Sequence, residues 1–479
     1  MRNADSRPCP SALEAAVEGY DGRNHVNSPW VNLLPQVLRD RMSGRHNLQA
    51  ALGNSGWLFA DKVFRLGVGL FIGVWVARYL GPGRFGLLNY SIAFTSLFSA
   101  LATLGLDGVV VRELVKSPDQ KNVLLGSAFA LKLIGAMITF IFVLGAVSIV
   151  RPGDTLTFWL VVLSAAGFIF QSLNVIDLYF QSKVQSRYTV YAANSAFILI
   201  TLVKVALLLL AAPLIAFAWA GLGEIALTAF FLLAAYRINH LNMWEWRWRL
   251  WTMRDLLLDS WPLILTGLSI MIAMRIDQIM IGQMLTDKAV GLYSAAAKIS
   301  ELWYFVPLAI AGSAFPALIE SKRYSEELYY RRLQKLYNIL VLLAVAVAVT
   351  MTFLAGPIVK LLFGRAYADS AGPLRILIWG GITVSFGCAW SNWMLLENRT
   401  RMMFFFQLAT ALTNVLLNLV LIPRYGIMGS AYATLISYWF GSVGLFAIIK
   451  SQHKALAMIA KALFPYWVFY RPDAKSTPL

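Results

Sequence analysis

Ionisable side chains occur inside stretches of the chain that are otherwise apolar enough to cross a lipid bilayer. The bases are Lys62, Arg65, Lys132, Lys204, Arg275 and Lys298, and the acids are Asp61, Asp177, Glu224, Asp277 and Glu301. Each costs about 2.5–3.5 kcal/mol at the centre of a membrane helix, so such side chains normally face protein or a water-filled cavity. Bases slightly outnumber acids, and a lumen that collects these groups could hold an anionic head group.

Ion pairing within single helices is the alternative explanation for several of these charges. Asp61 and Arg65 are four residues apart, and Lys298 and Glu301 are three apart, so each pair could be purely structural. Three bases have no acid on the same face of their own helix: Lys132, Lys204 and Arg275. These three are the first candidates for binding an anionic substrate, and Arg65 and Lys298 are the second.

Polar side chains at helical spacing indicate a wet interior. One stripe comprises Gln171, Asn174, Asp177 and Gln181, and another comprises Gln407, Asn414 and Asn418. Because successive residues of a helix are about 100° apart, each set lies on one side of its helix. Hydrogen bonding between helices is the other explanation for such residues.

The composition is that of a membrane protein. The 479 residues are 59% hydrophobic and 14% charged, whereas a soluble domain has roughly 45–50% apolar and about 25% charged residues. Apolar runs long enough to cross about 30 Å of hydrocarbon recur along almost the whole chain. We predict an all-α integral membrane protein with about twelve spans, at residues 56–78, 86–110, 122–150, 156–180, 189–211, 214–237, 257–284, 291–318, 336–362, 373–397, 402–422 and 427–449.

The distribution of Lys and Arg predicts the orientation. With the N-terminus placed in the cytoplasm, 27 of the Lys and Arg residues outside the spans lie on the cytoplasmic side and 8 on the other side. Cytoplasmic loops are the ones enriched in Lys and Arg, so we expect both termini in the cytoplasm. The net charge of +17 belongs to these loops, and we predict no nucleic-acid partner.

The two halves of the chain begin alike. Trp57 precedes the Gly-Leu-Leu-Asn-Tyr-Ser that starts at Gly86, and Trp261 precedes the Gly-Leu-Tyr-Ser that starts at Gly291, at nearly equal distances. Six spans per half would give both halves one orientation, so we predict two lobes related by a pseudo-two-fold axis along the membrane normal. Chance similarity between two apolar stretches is the alternative.

The predicted segments follow from this repeat. They are a disordered cytosolic N-terminal tail (1–50), an N-lobe with spans one to six (51–238), an interfacial cytoplasmic linker (239–256), a C-lobe with spans seven to twelve (257–450) and a cytosolic C-terminal tail (451–479). The tail before the first span has no apolar face to bury, so we expect residues 1–41 to be dispensable for insertion.

Five motifs resemble those of one transporter family. They are Ala-Arg-Tyr-Leu-Gly-Pro at 77–82 with Phe-Gly at 85–86, Leu-Gly-Leu-Asp at 104–107, Arg-Ile-Asp-Gln at 275–278, Val-Gly-Leu-Tyr-Ser at 290–294, and Ile-Pro-Arg-Tyr-Gly-Ile-Met-Gly-Ser-Ala at 422–431. In this order, over about residues 50 to 450, the chain resembles the Wzx-type polysaccharide flippases. These belong to the multidrug/oligosaccharidyl-lipid/polysaccharide exporter (MOP) superfamily.

The resemblance implies a bacterial inner-membrane protein that flips an undecaprenyl-pyrophosphate-linked oligosaccharide by alternating access, for surface polysaccharides such as O-antigen. It implies a cationic lumen, and a polysaccharide polymerase and other assembly proteins as partners. No cofactor is expected, and a coupling ion would be a proton or sodium. The acids that could bind this ion are Asp61, Asp177, Glu224, Asp277 and Glu301.

Other functions remain open. A small-molecule exporter of the same superfamily predicts a lumen dominated by acids, whereas here bases slightly outnumber them. A membrane glycosyltransferase or polymerase would usually have a large external loop with catalytic residues, and the longest such loop predicted here has only about ten residues. A scramblase without coupling also fits. The four histidines lie outside the apolar runs and the two cysteines stand far apart, so we predict no metal site and no enzyme.

Overall fold

The apolar runs form helices, because only a helix or a closed barrel satisfies every backbone polar group inside a bilayer. The computed structural model describes residues 46–396, 400–449 and 453–463, and within these ranges every regular element is helical. The predicted all-α fold class is confirmed. Of the predicted N-terminal tail only residues 46–50 are described, and they already belong to the first helix. The C-terminal tail is described only at 453–463.

The α-helices are α1 (His46–Leu97), α2 (Ser99–Thr103), α3 (Asp107–Lys116), α4 (Lys121–Val150), α5 (Thr155–Gln171), α6 (Val175–Ser182), α7 (Arg187–Leu209), α8 (Leu214–Ile238), α9 (Leu250–Met284), α10 (Asp287–Trp303), α11 (Phe305–Tyr324), α12 (Glu326–Phe363), α13 (Ala371–Leu377), α14 (Gly380–Leu396), α15 (Thr400–Trp439), α16 (Leu445–Ile448) and α17 (His453–Leu463). Short 3-10 helices occur at Pro118–Gln120, Ser172–Asn174, Met243–Glu245 and Arg365–Ser370, and a π-helix occurs at Phe440–Gly444.

The described part of the chain contains eight helices that are long and apolar enough to cross a membrane, or nine if a pair bent by 44° counts as one span. The predicted count of twelve therefore stays a prediction. Two pairs of predicted spans coincide with single helical elements. Helix α1 contains the first predicted span and much of the second, and α15 contains the eleventh and part of the twelfth.

Glycines with positive φ break both of these long elements. Gly81 in α1 has a φ of 67°, and Gly426 in α15 has a φ of 59°. Side chains other than glycine rarely adopt this conformation. Pro82 directly follows the first break, and Pro423 precedes the second by three residues. Each element is therefore two helices joined by a tight turn, at the positions where the sequence predicts loops.

The fourth and eighth predicted spans are interrupted. The 3-10 helix Ser172–Asn174 separates α5 from α6, and Tyr304 separates α10 from α11. The predicted polar stripe of the fourth span therefore does not lie on one regular helix. Gln171 ends α5, whereas Asp177 lies on α6.

Backbone contacts divide the chain into two units. The first comprises the described residues up to Gly73 together with Phe98–Ile264, and the second comprises Val74–Leu97 and the described residues from Leu265 onward. The second unit thus includes a segment that the sequence assigns to the N-lobe. Within this unit the hydroxyl of Tyr367 donates a hydrogen bond of 2.8 Å to the carbonyl of Ala77. The predicted lobe boundaries remain a prediction.

The predicted interfacial linker packs on α4 and α8 in the first unit. The backbone N–H of Arg247 donates to the carbonyl of Asn122 at 3.1 Å, and the indole of Trp246 donates to the hydroxyl of Tyr236 at 3.1 Å. Three other tryptophans of this region are exposed, by 86% at Trp244, 64% at Trp248 and 73% at Trp251. Exposed indoles beside arginines suit the head-group region of a bilayer.

The two glycines of the sequence repeat, Gly86 of α1 and Gly291 of α10, contact each other in the second unit. A Cβ added to Gly86 would lie 2.9 Å from the backbone nitrogen of Gly291, and one added to Gly291 would lie 3.1 Å from that of Gly86. The same atoms would overlap the carbonyls of Asp287 and Pro82. Small residues permit such close helix approach in membrane proteins.

Replacing Gly291 with alanine is expected to destabilise the protein by about 1–3 kcal/mol or more, because the added methyl meets backbone and not a movable side chain. Gly145→Ala is the matched control: it lies within α4 with nothing within 4 Å of its added Cβ. Alanine there should be neutral or slightly stabilising. Thermal unfolding of the purified proteins in detergent measures both changes. Equal midpoints for the two variants would contradict the tight crossing.

Candidate functional site

The predicted base Lys132 is buried in an ion pair in the first unit. Its ammonium, whose side chain is 3% exposed, binds the carboxylate of Asp107, which is 62% exposed. Asp177 on α6 is near enough to interact electrostatically with both, and it accepts a hydrogen bond of 2.8 Å from Gln181. Three predicted site residues, Lys132, Asp177 and the stripe residue Gln181, are therefore close together, around an acid that the sequence analysis did not select.

Two further bases of the first unit contact α7 and α8. Lys204 on α7 forms an ion pair of 2.9 Å with Glu224 on α8, and the two side chains are 24% and 28% exposed. The guanidinium of Arg65 donates to Asn194 at 3.2 Å and lies 5.4 Å from the ring centroid of Phe197. The side chain of Asp61, the predicted intrahelical partner of Arg65, lies outside the described part of the structure.

Arg275 holds Glu301 by a two-pronged ion pair in the second unit. Its two terminal nitrogens lie 3.1 and 3.2 Å from the two carboxylate oxygens of Glu301, and each side chain is 27% exposed. This fork geometry is the one that guanidinium groups form with carboxylates and with phosphates. The ammonium of Lys298, on the same helix as Glu301, lies 4.6 Å from the ring centroid of Phe85.

The three bases without an acid on their own helix face thus each have an acid on another element. The pairs are Lys132–Asp107, Lys204–Glu224 and Arg275–Glu301. Removing one partner of such a pair leaves an uncompensated charge, so single substitutions are expected to destabilise the protein even where the intact pair adds little stability. In the Lys204–Glu224 and Arg275–Glu301 pairs the side chains are about a quarter exposed. An anion with more negative charge than a carboxylate can therefore reach the base and compete for it.

Asp277 is the centre of a different network, in which the described residues include no base. Its carboxylate accepts hydrogen bonds from Asn418 at 2.6 Å, from Thr434 at 2.6 Å and from Tyr293 at 2.8 Å. Asp277 is 3% exposed and Asn418 is fully buried. Asn418 also donates to Asn414 at 3.0 Å. Although Arg275 and Asp277 are two residues apart, they have separate partners, as the helical geometry predicts.

This network can take up a positive charge. A buried carboxylate without a basic partner favours either protonation or a bound cation. Oδ1 of Asn418, a residue of this network, has no hydrogen-bond partner within the described structure. Carboxylate, amide and hydroxyl oxygens are the ligands that hard cations prefer.

The remaining predicted polar residues are not part of these clusters. Gln171, Asn174 and Gln407 are half-buried, and within the described part of the chain they form no hydrogen bond to Asp277 or to an ion pair. Among the described residues no group of three or more His, Cys, Asp or Glu side chains could hold a metal ion. The roles of the predicted site residues remain predictions.

Three important partners were missed by the sequence reasoning. Asp107 lies in the Leu-Gly-Leu-Asp motif, which indicates the family, and Tyr293 lies in the Gly-Leu-Tyr-Ser motif, which indicates the family and the internal repeat, and neither motif indicates a site. Thr434 lies sixteen residues after Asn418 on the same long element, and it had no signal of its own.

Comparison with known proteins gives a family and a fold. A family model described as "polysaccharide biosynthesis protein" matches residues 51–322. A probable flippase of Haloferax volcanii, AglR, is 30% identical over 176 residues, which cover 35% of this chain and only 36% of AglR.

Two solved structures share the fold over nearly their whole length. The lipid II flippase MurJ, in an inward closed conformation, has a TM-score of 0.67 at 17% identity, over 88% of this chain and 94% of MurJ. An inward-facing multidrug resistance MATE family transporter of the MOP superfamily has a TM-score of 0.63 at 15% identity, over 83% and 95%. Because the family model covers residues 51–322 of 479, this multi-pass membrane chain belongs to the polysaccharide biosynthesis protein family, and its fold is that of the MOP-superfamily transporters.

Proposed function

We propose that this protein is a flippase for a polyprenyl-pyrophosphate-linked oligosaccharide. It moves this lipid from the cytoplasmic to the periplasmic leaflet of a bacterial inner membrane, with both termini in the cytoplasm, and supplies surface polysaccharide synthesis such as that of O-antigen. The family membership, the partial similarity to a probable flippase and the fold shared with a lipid II flippase support the proposal. A polysaccharide polymerase and other assembly proteins are the partners we expect. The protein is a transporter and not an enzyme.

The Arg275–Glu301 pair is the observation that carries the proposal. A pyrophosphate head group cannot enter hydrocarbon unassisted, because each buried charge costs several kcal/mol or more. The fork of Arg275 already binds two oxygens of one carboxylate and is 27% exposed. A pyrophosphate offers the same pair of oxygens with more negative charge, so it can displace Glu301 from the fork.

The other bases extend this exchange mechanism. Lys204 is paired with Glu224 at a similar exposure, and Arg65 and Lys298 rest against aromatic rings. When substrate is absent, Lys204 is held by a partly exposed carboxylate that a phosphate can displace. Substrate binding then replaces carboxylates by phosphates, while the polyprenyl chain stays in the lipid. The conformational change that carries the head group across is alternating access.

Asp277 is the acid we favour for ion coupling. Glu224 and Glu301 are each neutralised by a base, whereas Asp277 contacts only uncharged donors within the described structure. Binding of a proton or a sodium ion changes the charge of this network and with it the packing of α9 against α10 and α15. This change gives the ion differential affinity for the two access states, as coupling requires.

Asp277→Asn is expected to abolish the dependence of transport on the ion gradient and to lower transport by about tenfold or more, because the amide cannot be ionised yet keeps the shape of the side chain. Asp119→Asn, in the exposed 3-10 helix Pro118–Gln120, is the matched control. Transport by proteoliposomes is measured with and without proton and sodium gradients. An unchanged gradient dependence in the Asp277 variant would exclude this site.

Export of small cations by the same fold is the second candidate function, and Asp277 is the feature that favours it. A buried acid without a base suits a cationic solute. Cells that lack the protein distinguish the two functions. The flippase proposal predicts that lipid-linked oligosaccharide accumulates and surface polymer disappears, with drug sensitivity unchanged. Normal surface polymer and increased sensitivity to cationic drugs would favour the exporter.

A further inference from the structure

The C-terminal helix α17 forms a cavity with the beginning of α12, remote in sequence from the ion pairs described above. Ala455, Ile459 and Ala462 are the buried side of α17. The side-chain amide of Gln334 on α12 donates to the backbone carbonyl of Met458 at 3.0 Å and holds the two helices together. Beside this contact lies a cavity of about 810 Å³.

Four basic side chains line this cavity. Arg331 and Lys335 come from α12, and Lys454 and Lys461 come from α17. The acid in the lining, Glu327, already accepts a hydrogen bond of 2.8 Å from Arg331. Like charges held close together are destabilising, whereas an anion between them is stabilised by all of them. The charges of the lining therefore predict an anionic ligand.

An apolar stripe begins at the cavity and runs along α12. Ile339, which lines the cavity, is 40% exposed, and Leu342, Val349 and Phe353 are 52%, 43% and 75% exposed. At about 100° per residue, Arg331, Lys335 and these four apolar residues lie within about 80° of one another around the helix. One exposed face of α12 thus changes from basic to apolar along its length.

We propose that the cavity binds the phosphate head group of an anionic phospholipid of the adjacent leaflet, with the acyl chains along the apolar stripe of α12. A soluble phosphate would use the bases but not the stripe, so the stripe favours a lipid. The bound lipid bridges α12 and α17 and holds these two helices of the second unit together. On the predicted orientation this is the cytoplasmic leaflet.

The test uses the full-length protein purified in detergent. The probes are phosphatidylglycerol, phosphatidylcholine with the same acyl chains, and inorganic phosphate. Native mass spectrometry counts bound lipids, and thermal unfolding reports stabilisation. We expect phosphatidylglycerol to bind and to raise the unfolding midpoint by several degrees, and the other two probes to do neither. An equal effect of inorganic phosphate, or of phosphatidylcholine, would overturn the proposal.

Variants locate the site. Lys335→Gln combined with Lys454→Gln should weaken phosphatidylglycerol binding about 30-fold, because each base near a membrane surface contributes a factor of about five. Lys335→Arg combined with Lys454→Arg keeps the charges and should bind normally. The control, Lys116→Gln with Lys183→Gln, removes two exposed lysines elsewhere and should also bind normally. Equal loss in the control and the cavity variant, or undiminished binding in the cavity variant, would refute the proposed site.

Discussion

Arg275→Ala is expected to lower export of the lipid-linked oligosaccharide per folded molecule by about 10- to 100-fold. The change removes a two-pronged, charge-assisted contact, which contributes about 1.5–3 kcal/mol. Arg275→Lys should recover only part of the activity, because a single ammonium replaces a planar fork. Surface polymer divided by the amount of folded protein in the membrane is the quantity to compare.

The pairing of Arg275 with Glu301 makes stability a necessary control for this prediction. Arg275→Ala alone leaves the carboxylate of Glu301 without its partner, so a loss of abundance is expected as well. The double variant Arg275→Ala, Glu301→Ala removes both charges and should restore most of the stability. If Arg275 binds the substrate, export per molecule stays low in the double variant. Recovery of export together with stability would show that the arginine is purely structural.

Asp107→Asn is expected to destabilise the protein by about 3 kcal/mol or more, and Lys132→Met by much less. The two partners differ in exposure: the lysine side chain is 3% exposed and the aspartate 62%. Replacing the acid leaves a buried ammonium without a counter-charge, which costs more free energy. Replacing the base leaves only an exposed carboxylate that water can solvate. Thermal unfolding in detergent measures the difference between the two variants.

The double variant Asp107→Asn, Lys132→Met completes this comparison. It has no buried ammonium without a counter-charge, so its thermal unfolding midpoint should be close to that of Lys132→Met. Asp177 also interacts electrostatically with Lys132, so Asp177→Asn in the Asp107→Asn background should destabilise further. Equal effects of Asp107→Asn and Lys132→Met would contradict the burial asymmetry. If Lys132 also binds substrate, Lys132→Met will lower export per folded molecule even though stability is nearly unchanged.

The structural features that depend on local sequence pattern, which are the helices and the turns, are predicted well from the sequence. Apolar runs predict the helices, and the Gly81-Pro82 and Pro423-Arg424-Tyr425-Gly426 segments predict the turns that break α1 and α15. The helical spacing of Asn414 and Asn418 also places both of them on the buried face that meets Asp277.

Contacts between helices were not predictable in the same way. Nothing in the spacing of Arg275 and Glu301 shows that α9 and α10 bring them together, because they are 26 residues apart on separate helices. The pairs of Lys132 with Asp107 and of Lys204 with Glu224 have the same origin in tertiary packing. The inclusion of Val74–Leu97 in the second unit is also a tertiary property, since the apolar pattern continues through Gly73 without a break.

The sequence also contains a pattern that indicates helix α17. Ala455, Ile459 and Ala462 recur at helical spacing opposite two lysines. This pattern is typical of an amphipathic helix. Helix α17 is too short and too charged to cross a membrane, so the apolar runs that indicate spans do not indicate it.

Flipping measured directly in proteoliposomes tests the central claim most closely. The lipid is a fluorescent polyprenyl-pyrophosphate oligosaccharide placed in one leaflet, and a reagent that cannot cross the membrane reports how much reaches the other leaflet with time. We predict transfer by the wild-type protein that far exceeds transfer in protein-free vesicles, and its loss in the stable double variant Arg275→Ala, Glu301→Ala. Transfer equal to that in protein-free vesicles, with the protein folded and an ion gradient present, would contradict the account.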